Sequence, residues 1–275
     1  MPKMDSAEII RTMTTFRLLR QTSRCSRFAQ VTVDLDPVGG PGVEVAATVA
    51  VEFRREADLG ARWALRGVST ATKVIVTAVV ATEIDTGTAD VYEATAHAVW
   101  QALGVQHSVP YVGFSDPQMV ASWLTEMIGR RLDAVIEARH WYQGRRESDA
   151  ESLLHAWLYF DHAMPVGLHH RGDELLLAKE DPYRSYDMDE HGETRVGPAL
   201  SPDVLSKFVG ARLIDGAVIV GHDGALVGAG LDLRFDTGSL VVGALGDEWV
   251  LATDAEPAAL TSYWTRQPFL RGTTR

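Results

Sequence analysis

Apolar and polar residues alternate with period two through much of the first hundred positions, and that alternation predicts strands. Phe16 to Arg20 reads as a first strand, and Val31, Val33 and Leu35 alternate with Thr32, Asp34 and Asp36 in a second. Pro37-Val38-Gly39-Gly40-Pro41-Gly42 marks a turn. Val43, Val45, Val49, Val51 and Phe53 continue the alternation as a long third strand, antiparallel to the second. The period then changes. Glu56 to Arg66 is a helix interrupted by Gly60, Val74 to Val80 returns to strand, and Asp90 to Leu103 carries an apolar face at helical spacing closed by Gly104. The expected order is β-β-β-α-β-α, a sheet with two helices on one face.

Beyond a linker at His107 to Asp116, Asp116-Pro117 opens a helix whose apolar face runs from Val120 to about Arg139. Ser148 with Glu151 reads as a capping box for a helix through Phe160. Pro165 to His169 and Glu174 to Ala178 are short strands, and the polar stretch Glu180 to Ala199 is a surface loop. Ser201-Pro202 and Gly210 bracket another helix. A hairpin follows, its first strand opening on Asp215-Gly216-Ala217 and its turn at Asp223-Gly224, because both turn residues tolerate positive φ. Ser239 to Ala244 and Glu248 to Ala252 form the last strand pair. No internal repeat is legible. The pattern predicts an α+β protein of two domains, residues 1–104 and 148–275, joined by a linker and connecting helix over 105–147.

Composition narrows the function classes. The 275 residues carry a net charge of −11, which disfavours a general nucleic-acid binder. The charge is uneven, since Lys3, Arg11, Arg17, Arg20, Arg24 and Arg27 face only Asp5 and Glu8 in the first 31 residues. No apolar run reaches the ~20 residues of a membrane span. A single cysteine and the absence of a signal-peptide pattern give a cytoplasmic expectation.

Candidate chemistry is sparse. The adjacent His169 and His170 point to opposite faces of a strand and cannot easily share a metal ion. His155 and His162 share no helical face neatly, and Asp187, Asp189 and Glu190 read as a solvated cluster. Cys25 reads as filler between Arg24 and Arg27. No catalytic set and no metal site can be assembled from spacing. Arg17, Arg20, Arg24 and Arg27 are the candidates for RNA or phosphate contact.

Two resemblances add to this. Phe16 to Arg24, Phe28 to Pro37 and Val74 to Leu103 resemble domain IV of elongation factor G, which implies a fold similar to the second domain of ribosomal protein S5 and an RNA- or ribosome-facing role. There is no P-loop in the chain, so the resemblance does not extend to a translocase. Leu200 to Leu233 is similar to the diadenylate cyclase domain, in which the Asp-Gly-Ala segment lies at the nucleotide. That resemblance implies a mixed sheet flanked by helices, ATP with a divalent metal as cofactors, and nucleotide contact at Asp215, Gly216 and Ala217. The family's Arg-His-Arg motif is missing, since the corresponding region reads Arg234-Phe235-Asp236-Thr237-Gly238-Ser239. The expectation is a nucleotide or cyclic-dinucleotide binding protein with weak or no catalysis. The alternatives are a non-enzymatic RNA- or ribosome-associated module, or a scaffold that assembles with copies of itself.

Overall fold

The computed structural model describes residues 13–21, 26–105, 112–221 and 227–268. The chain divides into two compact units, Met1–Val112 and Gly113–Arg275. The described residues form an α+β structure, rich in strand, with three sheets.

The first unit has the expected element order: β1 (Thr14–Gln21), β2 (Ser26–Asp36), β3 (Gly42–Val45), α1 (Val51–Ala64), β4 (Lys73–Val80) and α2 (Asp90–Leu103). The sheet runs β1-β2-β4-β3. Alternating residues Leu18, Ala29, Val31, Val33, Val74 and Val76 are buried beneath the helices. Two details correct the sequence reading. The third strand stops at Val45 and pairs parallel to β4, not antiparallel to β2. The apparent alternation beyond it belongs to a helix entry, where Val49 is buried but Val51 is 73% exposed. Gly60 does not interrupt α1. A Cβ there would lie 2.3 Å from the carbonyl oxygen of Tyr92, so the glycine lets α1 and α2 approach closely.

The second unit opens with α3 (Pro117–Met127), whose N-cap Asp116 accepts hydrogen bonds from the amides of Gln118 and Met119. The expected helix to Arg139 ends instead at Met127. The chain turns through Gly129 at φ 86° into β5 (Leu132–Trp141). Residues 113–147 are therefore no linker with a connecting helix, because β5 lies inside a sheet between two partners. After α4 (Asp149–Ser152) the expected helix through Phe160 is β6 (Leu153–Phe160). Then follow β7 (Val166–Arg171), β8 (Glu174–Lys179), the short β9 (Tyr186–Asp187) and β10 (Glu193–Pro198), the last two within the stretch expected as loop. A 3-10 helix, Val204–Phe208, stands where a longer helix was expected. It leads to β11 (Leu213–Gly221), β12 (Gly228–Phe235), β13 (Gly238–Leu245), β14 (Glu248–Thr253), α5 (Ala258–Ser262) and β15 (Trp264–Pro268). The hairpin of β11 and β12 forms as expected, although its Asp223-Gly224 turn lies outside the described residues.

The strands of this unit form two sheets, β8-β7-β6-β5-β10-β9 and β14-β13-β12-β11-β15. Every described ladder pairing in them is antiparallel, which corrects the expectation of a mixed sheet flanked by helices.

The two sheets repeat one plan. Leu132 pairs with Phe160 and Leu213 with Phe235, and each ladder then skips one residue, before Ala134 and before Asp215. A second irregularity follows between Ala138 and Arg139 in one sheet and between Ile219 and Val220 in the other. The registers of β6–β7–β8 match those of β12–β13–β14, and β10 lies along β5 as β15 lies along β11. Contacts between the halves are returned in kind. Gly129 N–H donates to Leu213 O and Gly210 N–H to Leu132 O, both at 2.7 Å. Leu132 N–H donates to Ala211 O and Leu213 N–H to Arg130 O, both at 2.9 Å. Within each half the same bond recurs, from the Arg131 amide to the Asp161 carboxylate at 3.0 Å and from the Arg212 amide to that of Asp236 at 2.9 Å. The turns also exchange bonds, Gly172 N–H to Asp247 Oδ1 and Gly246 N–H to Asp173 Oδ1. The second unit is an internal duplication with approximate two-fold exchange, carried by register and not by a repeat legible in the sequence.

Candidate functional site

The duplication supplies an internal comparison, since residues in register between the halves occupy the same backbone environment. On one face of the first half, β5 presents Glu137, Arg139 and Trp141, and β10 presents Arg195 opposite Arg139 and Gly197 opposite Glu137. Alternation along each strand puts them on a common side. The register of the second half sets Val218 and Val220 in the places of Glu137 and Arg139, and Thr265 and Gln267 in those of Arg195 and Gly197. A charged constellation therefore stands in one half where the other has two valines beside the uncharged Thr265 and Gln267.

Arg139 is its centre. Its side chain is buried, Nε donates to Glu137 Oε2 at 3.0 Å, and Nη2 donates to Asp149 Oδ1 at 2.6 Å. Nη1 donates to Ser152 Oγ at 3.1 Å and to the carbonyl of Asp149. Nη2 also lies 2.8 Å from Glu137 Oε1 and 3.8 Å from Asp203 Oδ2, the first contact being out of line for a hydrogen bond. The three carboxylates offer oxygens within 4.8 Å of one another, the geometry of a metal cage. The guanidinium already fills the point on which they converge, so a fixed organic cation does the work of an ion. Asp203 is held a second time, by Nη1 of Arg146 at 2.9 Å and by Nη2 of the same fork.

The surroundings drive the acids apart. Burial pushes the Glu137 carboxyl up, with Asp203 and Asp149 adding repulsion that Arg139 only partly offsets. Burial also opposes ionisation of Asp203, but the bonds from Arg146 and the charge of Arg139 outweigh it and hold this carboxyl below its usual range. Arg146 is raised in turn, chiefly by its hydrogen bonds to Asp203.

Above this floor opens a cavity of about 330 Å³, lined by Glu137, Arg139, Trp141, Arg146, Arg195 and Asp203, with Gly197, Pro198, Leu200 and Ser201 at its wall. The Arg195 guanidinium stacks 4.1 Å over the Trp141 ring. A Cβ added at Gly197 would meet nothing within 4 Å, so this glycine leaves open space opposite Glu137. Each of the three guanidinium groups is met by carboxylates, Arg139 by Glu137 and Asp149, Arg146 by Asp203, and Arg195 by Glu193 at 2.6 and 3.0 Å, so the cavity wall is a set of ion pairs whose guanidinium forks an oxyanion can contest.

On the opposite face of the same sheet, His155 Nδ1 bonds the Tyr183 hydroxyl at 2.7 Å and His169 Nε2 bonds Glu180 at 2.6 Å, with the two imidazoles 4.4 Å apart. His170 points the other way, against Trp249, as strand alternation requires. In the second half Gly230 and Gly243 stand at the places of His155 and His169, and Trp264 replaces the buried Thr194. The Trp264 ring rests on Gly243, where a Cβ would approach it to 2.7 Å. The histidines fill a volume that the other half fills with one indole.

The residues singled out from sequence are placed differently. Asp215 and Gly216 lie on β11 beyond the end of β15, with Ala217 beside Pro268. Asp215 accepts from the Gly216 amide at 2.9 Å and lies 3.9 Å from Arg234, and none of the described cavities includes the three residues. In the first unit, Arg17 is exposed over the Phe28 ring at 5.3 Å, and Arg20 reaches Glu93 at 3.2 Å. Arg27 is 1% exposed and donates to Asp90 at 2.7 Å and Glu93 at 2.6 Å. Desolvation opposes its charge, but the two carboxylates prevail and raise it further. Arg27 is thus a buried cation held by two carboxylates, and it lines one cavity together with Arg17 and Arg20. Arg24 and Cys25 lie outside the described residues.

No family model matches the chain, and no curated protein matches it. A crystal structure of a protein from Thermus thermophilus is 19% identical, covering 32% of this chain and 15% of its own, with a TM-score of 0.29. A likeness at that level carries no argument about fold or function.

Proposed function

We propose that the second unit is a binding module for a nucleotide-class ligand, taken in the cavity above Arg139. The observation that carries this reading is the contrast between the halves, with Arg139, Arg195 and Glu137 facing a cavity at positions where Val220, Thr265 and Val218 stand in the sister sheet. The cavity is at the small end of the range for ligand sites, and it combines a Trp–Arg stack for a planar ring with guanidinium forks for an oxyanion. The carboxylates are engaged by arginines, which favours binding over catalysis. The nucleotide expectation moves from Asp215-Gly216-Ala217 to this place.

Thermal unfolding of the intact protein with AMP, ATP or adenosine tests the reading. A ligand at ~100 times its dissociation constant stabilises by about 2.7 kcal/mol, a shift of ~5–10 °C for domains of this size. AMP or ATP is expected to raise the melting temperature, and Gly197→Leu, which fills the open space without straining the backbone, is expected to remove the shift. A shift that survives in Gly197→Leu, or no shift with any of the three, overturns it.

A further inference from the structure

The most informative residue around the cavity is one that has left its ordinary post. In each half a short helical segment precedes the central strand, and an aspartate stands at its N-cap: Asp116 before α3 and Asp203 before Val204–Phe208. Asp116 does what an N-cap aspartate is favoured to do, accepting from two backbone amides of the first turn. Asp203 makes no cap bond with its side chain. Its carboxylate turns instead into the two-pronged fork of Arg146, and the Val204 amide is served by Asp149 Oδ2 at 2.7 Å. The side chain of Asp203 is 6% exposed, whereas Arg146 keeps 25% of its own exposed at the cavity wall.

A bidentate guanidinium–carboxylate pair has the shape of a guanidinium–phosphate pair, because the same planar fork accepts two oxygens from either partner. Resting on the binding reading above, we infer that the Arg146 fork is the seat for the ligand's oxyanion and that Asp203 is an internal competitor occupying it. The ligand class is then an oxyanion, phosphate or carboxylate, attached to a planar group that meets Trp141 and Arg195. Displaced from Arg146, Asp203 has two destinations. Nη2 of Arg139 lies 3.8 Å away, and the first-turn amides of the 3-10 helix offer the cap position that Asp116 fills in the sister half. The competitor lowers affinity by the cost of its own displacement, so removing its charge should tighten binding without adding a contact to the ligand.

Titration calorimetry on the intact protein with AMP, inorganic phosphate and adenosine tests this in Asp203→Asn and Asp203→Ser. Both residues are competent N-caps, so the second keeps the test alive if the first folds poorly. The expected result is binding of AMP and phosphate at least tenfold tighter than in the unsubstituted protein, with adenosine unchanged and Arg146→Gln abolishing the gain. If both variants bind AMP as the unsubstituted protein does, or more weakly, while Gly197→Leu still abolishes binding, the competitor role is wrong and the cavity reading stands alone. If Gly197→Leu binds AMP normally in either background, or no variant binds AMP or phosphate, the cavity reading falls and the competitor role falls with it.

Discussion

The two halves of the second unit solve the same packing problem with different materials. Both place a central strand between a hairpin partner, along a ladder interrupted twice, and a later strand, and both tie the start of that central strand to the opposite half by the same amide–carbonyl bonds. The second half closes its sheet with Val218, Val220 and Trp264. The first holds a buried guanidinium, a carboxyl pushed toward neutrality, the buried His169 imidazole and the half-buried His155 imidazole in the corresponding places. Buried ionic groups offer little net stability over well-packed apolar side chains of similar volume. A sheet that holds them where its duplicate manages without them is therefore where function is best sought.

The sharpest way to break this comparison is to remove the central cation. Arg139→Met leaves Glu137, Asp149 and Asp203 without their shared counter-charge and is expected to cost ~3–5 kcal/mol in denaturant unfolding. Val220→Ala, at the equivalent place, should cost less, of the order of 1–3 kcal/mol for a trimmed core residue. Equal losses would mean that the polar centre is ordinary packing.

A smaller effect separates the glycines. Gly243→Ala drives a methyl group toward the Trp264 ring and the Ala229 carbonyl, at 2.7 and 2.8 Å, and is expected to destabilise by ~1–3 kcal/mol. Gly197→Ala meets no neighbour and should change stability little. A costly Gly197→Ala would show that the cavity wall is closed.

The gentlest probe is acid. Burial, with the charges of His169 and His170 adding to it, lowers His155 to about 3, whereas the unfolded chain titrates near 6.5. Its neutral form thus contributes stability that is complete above pH ~6.5 and is lost as pH falls toward 3. His155→Gln should flatten part of that acid limb in unfolding measured from pH 7 to 4. An unchanged limb would assign the acid sensitivity to carboxylates alone. Gly230, at the matching position, has nothing to titrate.

Where sequence reading succeeded and failed has a common cause. The hairpins around Gly172-Asp173 and Gly246-Asp247, like α2 closing at Gly104, announce themselves through local turn and cap chemistry. The strand β5 does not, because its irregularity at Asp133 breaks the period of two, as the extra residue Leu154 does in its partner β6. Its apolar residues then match a helix, and on a helix Arg139 would point away from Glu137 and Trp141 instead of standing on their side. The site was hidden by that misreading together with the reading of β10, which carries Arg195 and Gly197, as loop. The turn Gln143-Gly144, with φ of 49° and 74°, was the available signal that a strand precedes it. The duplication escaped notice because little more than scattered matches, such as Phe160-Asp161 with Phe235-Asp236 and Gly172-Asp173-Glu174 with Gly246-Asp247-Glu248, survive in the residues. What is kept is register.

The bonds exchanged between Leu132 and Gly210, and between Leu213 and Gly129, also bear on how the molecule comes apart. Each half donates a backbone group that the other needs at the first residues of its central strand, so neither can open there without stranding amides and carbonyls of its neighbour. The second unit should melt in one cooperative step despite its two sheets, and a variant that loosens the first half should lower the hydrogen-exchange protection of β11 as much as that of β5.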